Sequence, residues 1–182
     1  MANLRLKLLL ALSLLAGRKK GLADLYRLTA AAFGRELPAL RGQSRDEMLR
    51  GYARFTRGEA ERSLARGTAA AVRKELYDRS LRLGRDIRDK LHVRGREDAA
   101  AALHALYRLL DIDKTVDARG GVTVRRCSFA AQYTPEVCRF MSAMDEGIVA
   151  GLCGGRLVFS QRLTEGGDCC RGLISWPGGE NG

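Results

Sequence analysis

The chain has 182 residues, of which 46% are hydrophobic, and this length suffices to bury a core without cross-links. Its five cysteines are odd in number and two are adjacent, which argues against a secreted disulfide framework and predicts reduced thiols in the cytoplasm. The net charge of +11 is typical of proteins that contact nucleic acid or anionic lipid, unless the charges are paired along helices.

The first element is an apolar run from Leu8 to Gly17, which follows Arg5 and Lys7 and resembles the start of a signal peptide. We predict instead a helix that is buried or faces a partner, because no small-residue cleavage site closes the run and the apolar pattern resumes at Leu22. An interfacial membrane helix and a cleaved signal are the alternatives. The run is too short to cross a bilayer, which needs about 20 apolar residues.

Helical spacing of leucines extends over residues 4 to 110 and predicts four or five helices joined by short loops. A break is expected from Gly34 to Gln43. Ser44, with Glu47 three residues later, has the pattern of a capping box that opens the next helix.

The positive charge belongs to this helical part. Up to position 110 there are 24 basic and 12 acidic residues, whereas beyond it there are 8 and 9. Many of these charges have partners four residues away, as Glu75 has Arg79 and Asp78 has Arg82. Nucleic-acid binding is therefore not predicted, and peripheral membrane contact through the N-terminal helix stays open.

Short strands and one helix are predicted after Asp111. Val116 to Arg126 alternates around two glycines and predicts a hairpin whose second arm leads into Cys127. Thr134 followed by Pro135 is a good helix start, because threonine caps the helix and proline suits its first position.

This helix is expected to run to about Val149 and to end at Gly151. Two further strands are predicted, from Arg156 to Leu163 and from Cys169 to Ser175, separated by a glycine-rich turn.

These elements together predict an α+β protein in which an N-terminal helical part packs on a small C-terminal antiparallel sheet with one helix. The predicted units are a helical part at residues 1–110 and a cysteine-bearing α+β unit at residues 111–175. Residues 176–182 are predicted to be a disordered tail.

All five cysteines lie in the C-terminal third, where we predict that Cys127, Cys138 and Cys170 meet at one end of the sheet. Zinc and iron–sulfur clusters prefer thiolate ligands, so these three residues are candidate metal ligands. Inert buried thiols are the alternative, because no Cys-x-x-Cys spacing occurs. Cys169 is expected to face away from Cys170, since neighbours in a strand alternate, and Cys153 to be packing.

Two carboxylates, Asp145 and Glu146, follow Cys138 by two helical turns and lie on roughly the same helix face. Either residue is a candidate catalytic group, as a general base for an activated water or as a fourth metal ligand. A solvated helix surface is the alternative interpretation.

The segments Cys127-Ser-Phe129, Cys138 with Asp145 after it, and Arg162 to Cys170 together resemble the C-terminal half of the L-2-amino-thiazoline-4-carboxylic acid hydrolase-like family. The last strand is also similar to the end of the 4-vinyl reductase domain, a small-molecule-binding module.

The resemblance implies hydrolytic opening of a thiazoline ring, with Cys127, Cys138 and Cys170 holding a metal or one of them acting as a nucleophile. Arg125, Arg139 or Arg171 would then bind the carboxylate of the substrate.

A non-enzymatic metal-binding or ligand-sensing module is the alternative function, in which the basic helical part contacts a partner, a membrane surface or nucleic acid. An enclosed pocket beside the cysteines, lined by an arginine and a carboxylate, would favour the enzyme. A fully coordinated metal site would favour the module.

Overall fold

The computed structural model describes the backbone of residues 4–176 and the side chains of residues 18–176. The described residues form the predicted α+β fold, with four helices before an antiparallel sheet and one helix within the sheet-forming part. The elements are α1 (Leu4–Ala32), α2 (Arg45–Ala65), α3 (Ala69–Leu91), α4 (Arg96–Arg108), β1 (Asp113–Val116), β2 (Gly121–Arg126), α5 (Pro135–Cys153), β3 (Arg156–Gln161) and β4 (Cys170–Ser175).

The helix starts follow the predicted capping chemistry. The Ser44 backbone N–H donates to the Glu47 carboxylate at 2.7 Å, and the Glu47 N–H donates to the Ser44 hydroxyl, which completes the capping box of α2. Thr134 caps α5 by accepting from the Val137 N–H at 3.3 Å, and Pro135 is the first helical residue.

The predicted end of α5 at Gly151 is wrong, because the helix continues to Cys153 and ends at Gly154, whose φ is +70°. Gly151 lies at the crossing of α5 with α3, where Gly84 and Gly147 also lie. A Cβ atom on Gly151 would overlap the carbonyl oxygen of Leu81, and one on Gly147 would overlap that of Tyr77. The glycines therefore allow the two backbones to touch, rather than ending the helix.

The sheet has the strand order β1-β2-β4-β3, and every neighbouring pair is antiparallel. The predicted hairpin joins β1 to β2, and its turn is held by Asp117, whose carboxylate accepts from the Arg119 and Gly121 N–H groups at 2.8 Å. The register pairs Lys114 with Val124 and Val124 with Cys170. These three residues are buried and lie on the face of the sheet that is turned toward the helices.

One hydrophobic core runs through both predicted units, from Leu22 and Leu103 in the helical part to Leu152 and Ile174 in the sheet-forming part. The change from helices to strands falls between Arg108 and Asp113, where the sequence predicts it. The division of the chain into two units stays a prediction.

Trp176, which the sequence assigns to the disordered tail, instead packs against the core with Arg96 lying 5.7 Å from its ring centroid. Residues 177–182 of that predicted tail lie outside the described residues. The backbone of the apolar run at residues 8–17 is helical as part of α1, and its side chains also lie outside the described residues.

Ion pairs occur along the helices, as the charge pattern predicts. Arg79 contacts Glu75 at 2.6 Å, whereas Asp78 contacts Lys74 at 2.5 Å in place of the expected Arg82. Within the part of the chain that the structure describes, no helix has the length and apolar character needed to cross a membrane.

Candidate functional site

A recessed and mainly apolar cavity of about 120 Å³ lies between α5 and the inner face of the sheet, and residues of α1, α2 and α4 complete its wall. Its apolar lining includes Leu110, Ile112, Val124, Met141, Met144 and Ile148. An engineered apolar cavity of roughly 150 Å³ in another protein binds benzene. The thiol-lined cavity is therefore large enough for a molecule with a single ring.

The three cysteines predicted to converge all line this cavity, which we therefore call the thiol cavity. Cys127 follows β2, Cys138 is in the first turn of α5, and Cys170 is the first residue of β4. They reach one place because the end of β2 pairs with the start of β4 in the sheet, and the first turn of α5 lines the same cavity.

The other two cysteines lie elsewhere, as the sequence predicts. Cys153 donates its S–H to the carbonyl oxygen of Val149 at 3.1 Å, one turn back along α5. Cys169 is buried, and its Sγ lies 3.4 Å from a carboxylate oxygen of Asp168. Neither residue lines the thiol cavity.

Burial keeps two of the cavity thiols protonated. It raises the pKa of Cys127 to about 12, and the nearby Cys138 and Cys170 add to the shift. Burial also raises the pKa of Cys170, although the Leu163 N–H, which donates to its sulfur at 3.4 Å, opposes the rise. Both groups are therefore neutral thiols at neutral pH, which makes them weak nucleophiles.

The sequence predicts that Cys127, Cys138 and Cys170 hold zinc or an iron–sulfur cluster. Among the described side chains, no three or more His, Cys, Asp or Glu residues are arranged so that they could hold a metal ion. The three thiols thus share the cavity without the convergent arrangement that a metal centre requires.

The two predicted catalytic carboxylates point to different places. Asp145 lines the thiol cavity and accepts a hydrogen bond from the hydroxyl of Tyr107. Glu146 does not line it and lies 3.4 Å from the guanidinium of Arg73. Burial raises the pKa of Glu146, and Arg73 opposes this rise. The structure therefore brings Asp145 to the cavity and Glu146 to the contact between α3 and α5.

The three predicted carboxylate-binding arginines do not line the cavity. Arg139 is paired with Glu136 and Glu165, and Arg171 lies 3.7 Å from Asp168. Arg125 is on the outward face of β2, next to the buried Val124.

A different arginine, Arg162, lines the cavity. Its guanidinium donates to the Ser142 hydroxyl at 2.8 Å and lies 4.7 Å from the ring centroid of Phe159. Sequence reasoning missed it as a binding residue, although it opens the segment that ends at Cys170. No local pattern in the sequence marks Arg162 as the arginine that faces inward.

Lys114 is the second cavity residue that sequence reasoning missed. Its side chain is fully buried, and its Nζ has no hydrogen-bond partner among the described residues. The ring centroid of Tyr107 lies 3.8 Å from this nitrogen. The available signal was strand alternation, which places Lys114 on the same face as Ile112 and Val116.

Thr164 adds a further polar atom to the cavity wall. Its buried hydroxyl also lacks a hydrogen-bond partner within the described part of the chain. The wall therefore combines an apolar body with an amine, a guanidinium, a carboxylate and a hydroxyl, which is the composition expected of a small-molecule site.

Comparisons of the chain with protein-family profiles, with curated proteins and with solved structures give no match. The resemblance to the thiazoline hydrolase-like family therefore stays a prediction, and any function has to be inferred from the geometry of the thiol cavity.

Proposed function

We propose that the protein binds a small cyclic molecule with an acidic group in the thiol cavity and hydrolyses a C–N bond in it. The observation that carries this proposal is a cavity beside the three cysteines that is lined by both Asp145 and Arg162. A carboxylate and a guanidinium in one apolar cavity provide a base and an anion-binding group, which a purely structural thiol cluster does not need.

Arg162 is the residue proposed to bind the acidic group. Its hydrogen bond to Ser142 and its position over Phe159 hold the planar guanidinium at the cavity wall. A guanidinium held in this way can present two parallel N–H groups to a carboxylate. The ring of the substrate would then lie among the apolar residues of the cavity.

Asp145 is the residue proposed to act as general base. It would accept a proton from a water that adds to the carbon between the ring sulfur and ring nitrogen of a 2-amino-thiazoline carboxylate. The C=N π electrons move to the ring nitrogen, which takes up that proton. The ring C–N bond then breaks as the added hydroxyl group becomes a carbonyl, and the hydroxyl proton passes through Asp145 to the departing nitrogen. Tyr107 orients Asp145, and burial raises the pKa of Tyr107 well above its ordinary value, so the phenol stays a hydrogen-bond donor.

Water, and not Cys127 or Cys170, is the nucleophile in this proposal. The raised pKa of Cys127 and Cys170 keeps both thiols protonated, so neither supplies a thiolate at neutral pH. A cytoplasmic location is part of the proposal, and five cysteines that are all free in the structure are in keeping with a reducing compartment.

The test is ring opening of 2-amino-thiazoline-4-carboxylate by the purified protein under reducing conditions, followed by mass spectrometry. Asp145→Asn keeps the shape of the side chain and removes its basicity, so we expect the rate to fall about 100- to 10,000-fold. Arg162→Gln should raise KM about tenfold or more, because it removes charged hydrogen bonds to the carboxylate.

The matched control is Arg171→Gln, at an exposed arginine of β4 that lies outside the cavity. It should leave both kcat and KM unchanged. Ring opening that persists at the wild-type rate in Asp145→Asn would exclude the proposed base, and no ring opening by the wild type would exclude this substrate.

A ligand-sensing module that uses the same cavity is the second candidate function. The neutral state of Cys127 and Cys170 favours it, because a binding pocket needs no activated nucleophile. In that case the basic helical part would contact a partner, a membrane surface or nucleic acid. Saturable binding of the ligand without turnover by the wild type would select this function over hydrolysis.

A further inference from the structure

A lysine in the interior of a small sheet is unusual, because lysine is almost never fully buried unless it is paired. Lys114 lies in β1 opposite Val124, and its side chain has no exposed surface. Two aromatic rings lie beside its nitrogen, with the Tyr107 and Phe159 ring centroids at 3.8 and 5.9 Å. A buried polar atom without a hydrogen bond calls for an explanation in terms of strain, an unseen ligand or chemistry.

Burial makes the ammonium form of Lys114 less favourable than it is in water. This effect lowers the pKa of Lys114, and the electrostatic effects of Asp145 and Cys170 only partly offset it. A neutral lysine amine in an apolar pocket is a nucleophile toward carbonyl carbon.

A proton-transfer pair lies beside this amine. Tyr107 contacts the lysine nitrogen through its ring face and donates its hydroxyl hydrogen to Asp145. Lys114, Tyr107 and Asp145 line the same cavity, so a molecule that reaches the amine also lies next to the pair. Thr164, whose buried hydroxyl has no partner among the described residues, lines the same cavity.

We propose that Lys114 forms an imine with a small aldehyde or ketone that enters the thiol cavity. This activity goes beyond the proposed hydrolysis and does not depend on it. The body of the carbonyl compound would be apolar and no larger than about one ring, as the cavity volume requires.

Formation of the imine requires neither an oxidant nor a metal. The amine nitrogen attacks the carbonyl carbon, the C–N bond forms, and the π electrons move to oxygen, which takes the proton lost by nitrogen. In the resulting carbinolamine, Asp145 relays the proton that remains on nitrogen to the hydroxyl group, which leaves as water. The nitrogen lone pair then forms the C=N bond. Addition of water reverses both steps, so the adduct is released unless it is reduced.

The experiment is reductive trapping with butanal as the probe. The full-length protein is incubated at neutral pH with butanal and cyanoborohydride, and the modified lysines are identified by peptide mass spectrometry at successive times. We expect one butyl group on Lys114, added several-fold faster than on Lys20 or Lys74, because a lowered pKa leaves a larger share of the Lys114 amine unprotonated and able to react. Lys20 and Lys74 are exposed on helices and serve as internal controls.

Two variants test the assignment further. Lys114→Met should lose the fast-labelled site, whereas Lys74→Met, at an exposed lysine, should retain it. Labelling of Lys114 at the same rate as Lys74, or no labelling of Lys114, would overturn the proposal. Binding of butyrate that depends on Lys114, without any trapping of butanal, would also overturn it, because it would show that Lys114 is an ammonium ion that binds anions.

These results are independent of the ring-opening assay. Trapping at Lys114 by a protein that does not open the thiazoline ring would support the imine and exclude the hydrolysis. Ring opening without trapping at Lys114 would support the hydrolysis and exclude the imine.

Discussion

At the residue scale, Lys114 is the least expected feature of the molecule. It occupies an inward position of β1 at which an apolar side chain would pack without cost. A buried amine without an acceptor loses the hydration that it has in the unfolded chain, and its hydrophobic stem recovers only part of that loss. The buried lysine therefore lowers the stability of the fold, a cost that is common at functional sites.

Lys114→Met tests how much the buried lysine lowers the stability. Methionine has a similar volume and no polar group to desolvate, so the free energy of unfolding at pH 7 should rise by about 1–3 kcal/mol. Urea unfolding of both proteins measures the difference. Lys74→Met is the control, and little change is expected at that exposed position.

The gain in stability from Lys114→Met should also decrease as the pH rises, because the pKa of Lys114 is lowered in the folded protein. Because the folded pKa lies below the ordinary 10.5, the unfolded chain binds the additional proton between those two values. The penalty for the buried lysine is thus fully present below its folded pKa and disappears as the pH rises past 10.5. A variant whose advantage over the wild type grows toward alkaline pH would contradict this account.

At the element scale, α5 is the helix on which the site depends, because its two faces make different contacts. Cys138, Met141, Asp145 and Ile148 recur at helical spacing and line the thiol cavity. The opposite side carries the glycines that meet α3. The close crossing of these helices consequently fixes the position of Cys138 and Asp145 relative to the sheet.

Gly151→Ala tests the importance of this crossing. The added methyl group would overlap the Leu81 carbonyl oxygen and the Arg85 backbone nitrogen, neither of which can move without shifting α3. We expect a loss of about 1–3 kcal/mol or more in the free energy of unfolding, measured by urea denaturation.

Gly51→Ala is the matched control within a helix. The nearest atom to its added Cβ would be the Tyr26 hydroxyl at 4.0 Å, so α2 has room for the methyl group. Stability there should rise by about 0.5–1 kcal/mol, because alanine is the better helix former. Equal effects of the two substitutions would show that the α3–α5 contact is not tight.

The end of α5 shows why sequence patterns place elements better than they place boundaries. Gly151 and Gly154 are both suitable for the left-handed residue that ends a helix, and local chemistry does not distinguish them. Contact with α3, which comes from residues some seventy positions earlier in the chain, decides that Gly151 stays helical. That information is absent from the local sequence.

At the scale of the whole molecule, the change from helical to alternating periodicity near Asp111 predicts the α+β fold, because periodicity reports which face of an element is buried. The meeting of Cys127, Cys138 and Cys170 follows from the predicted strand ends and helix start. The sequence does not predict the cavity partners. Tyr107 meets Asp145 across 38 positions of sequence, and no local pattern indicates which arginine faces inward.

The central claim is that the thiol cavity is where this protein takes up a small molecule, and its methionines allow a direct measurement. Met141 and Met144 line the cavity, whereas Met48 is buried in the core outside it. In protein labelled with ¹³C-methyl methionine, titration with 2-amino-thiazoline-4-carboxylate should shift the signals of Met141 and Met144 in a saturable way and leave Met48 unchanged. Saturable binding that leaves Met141 and Met144 unshifted, or no binding at all, would contradict the account.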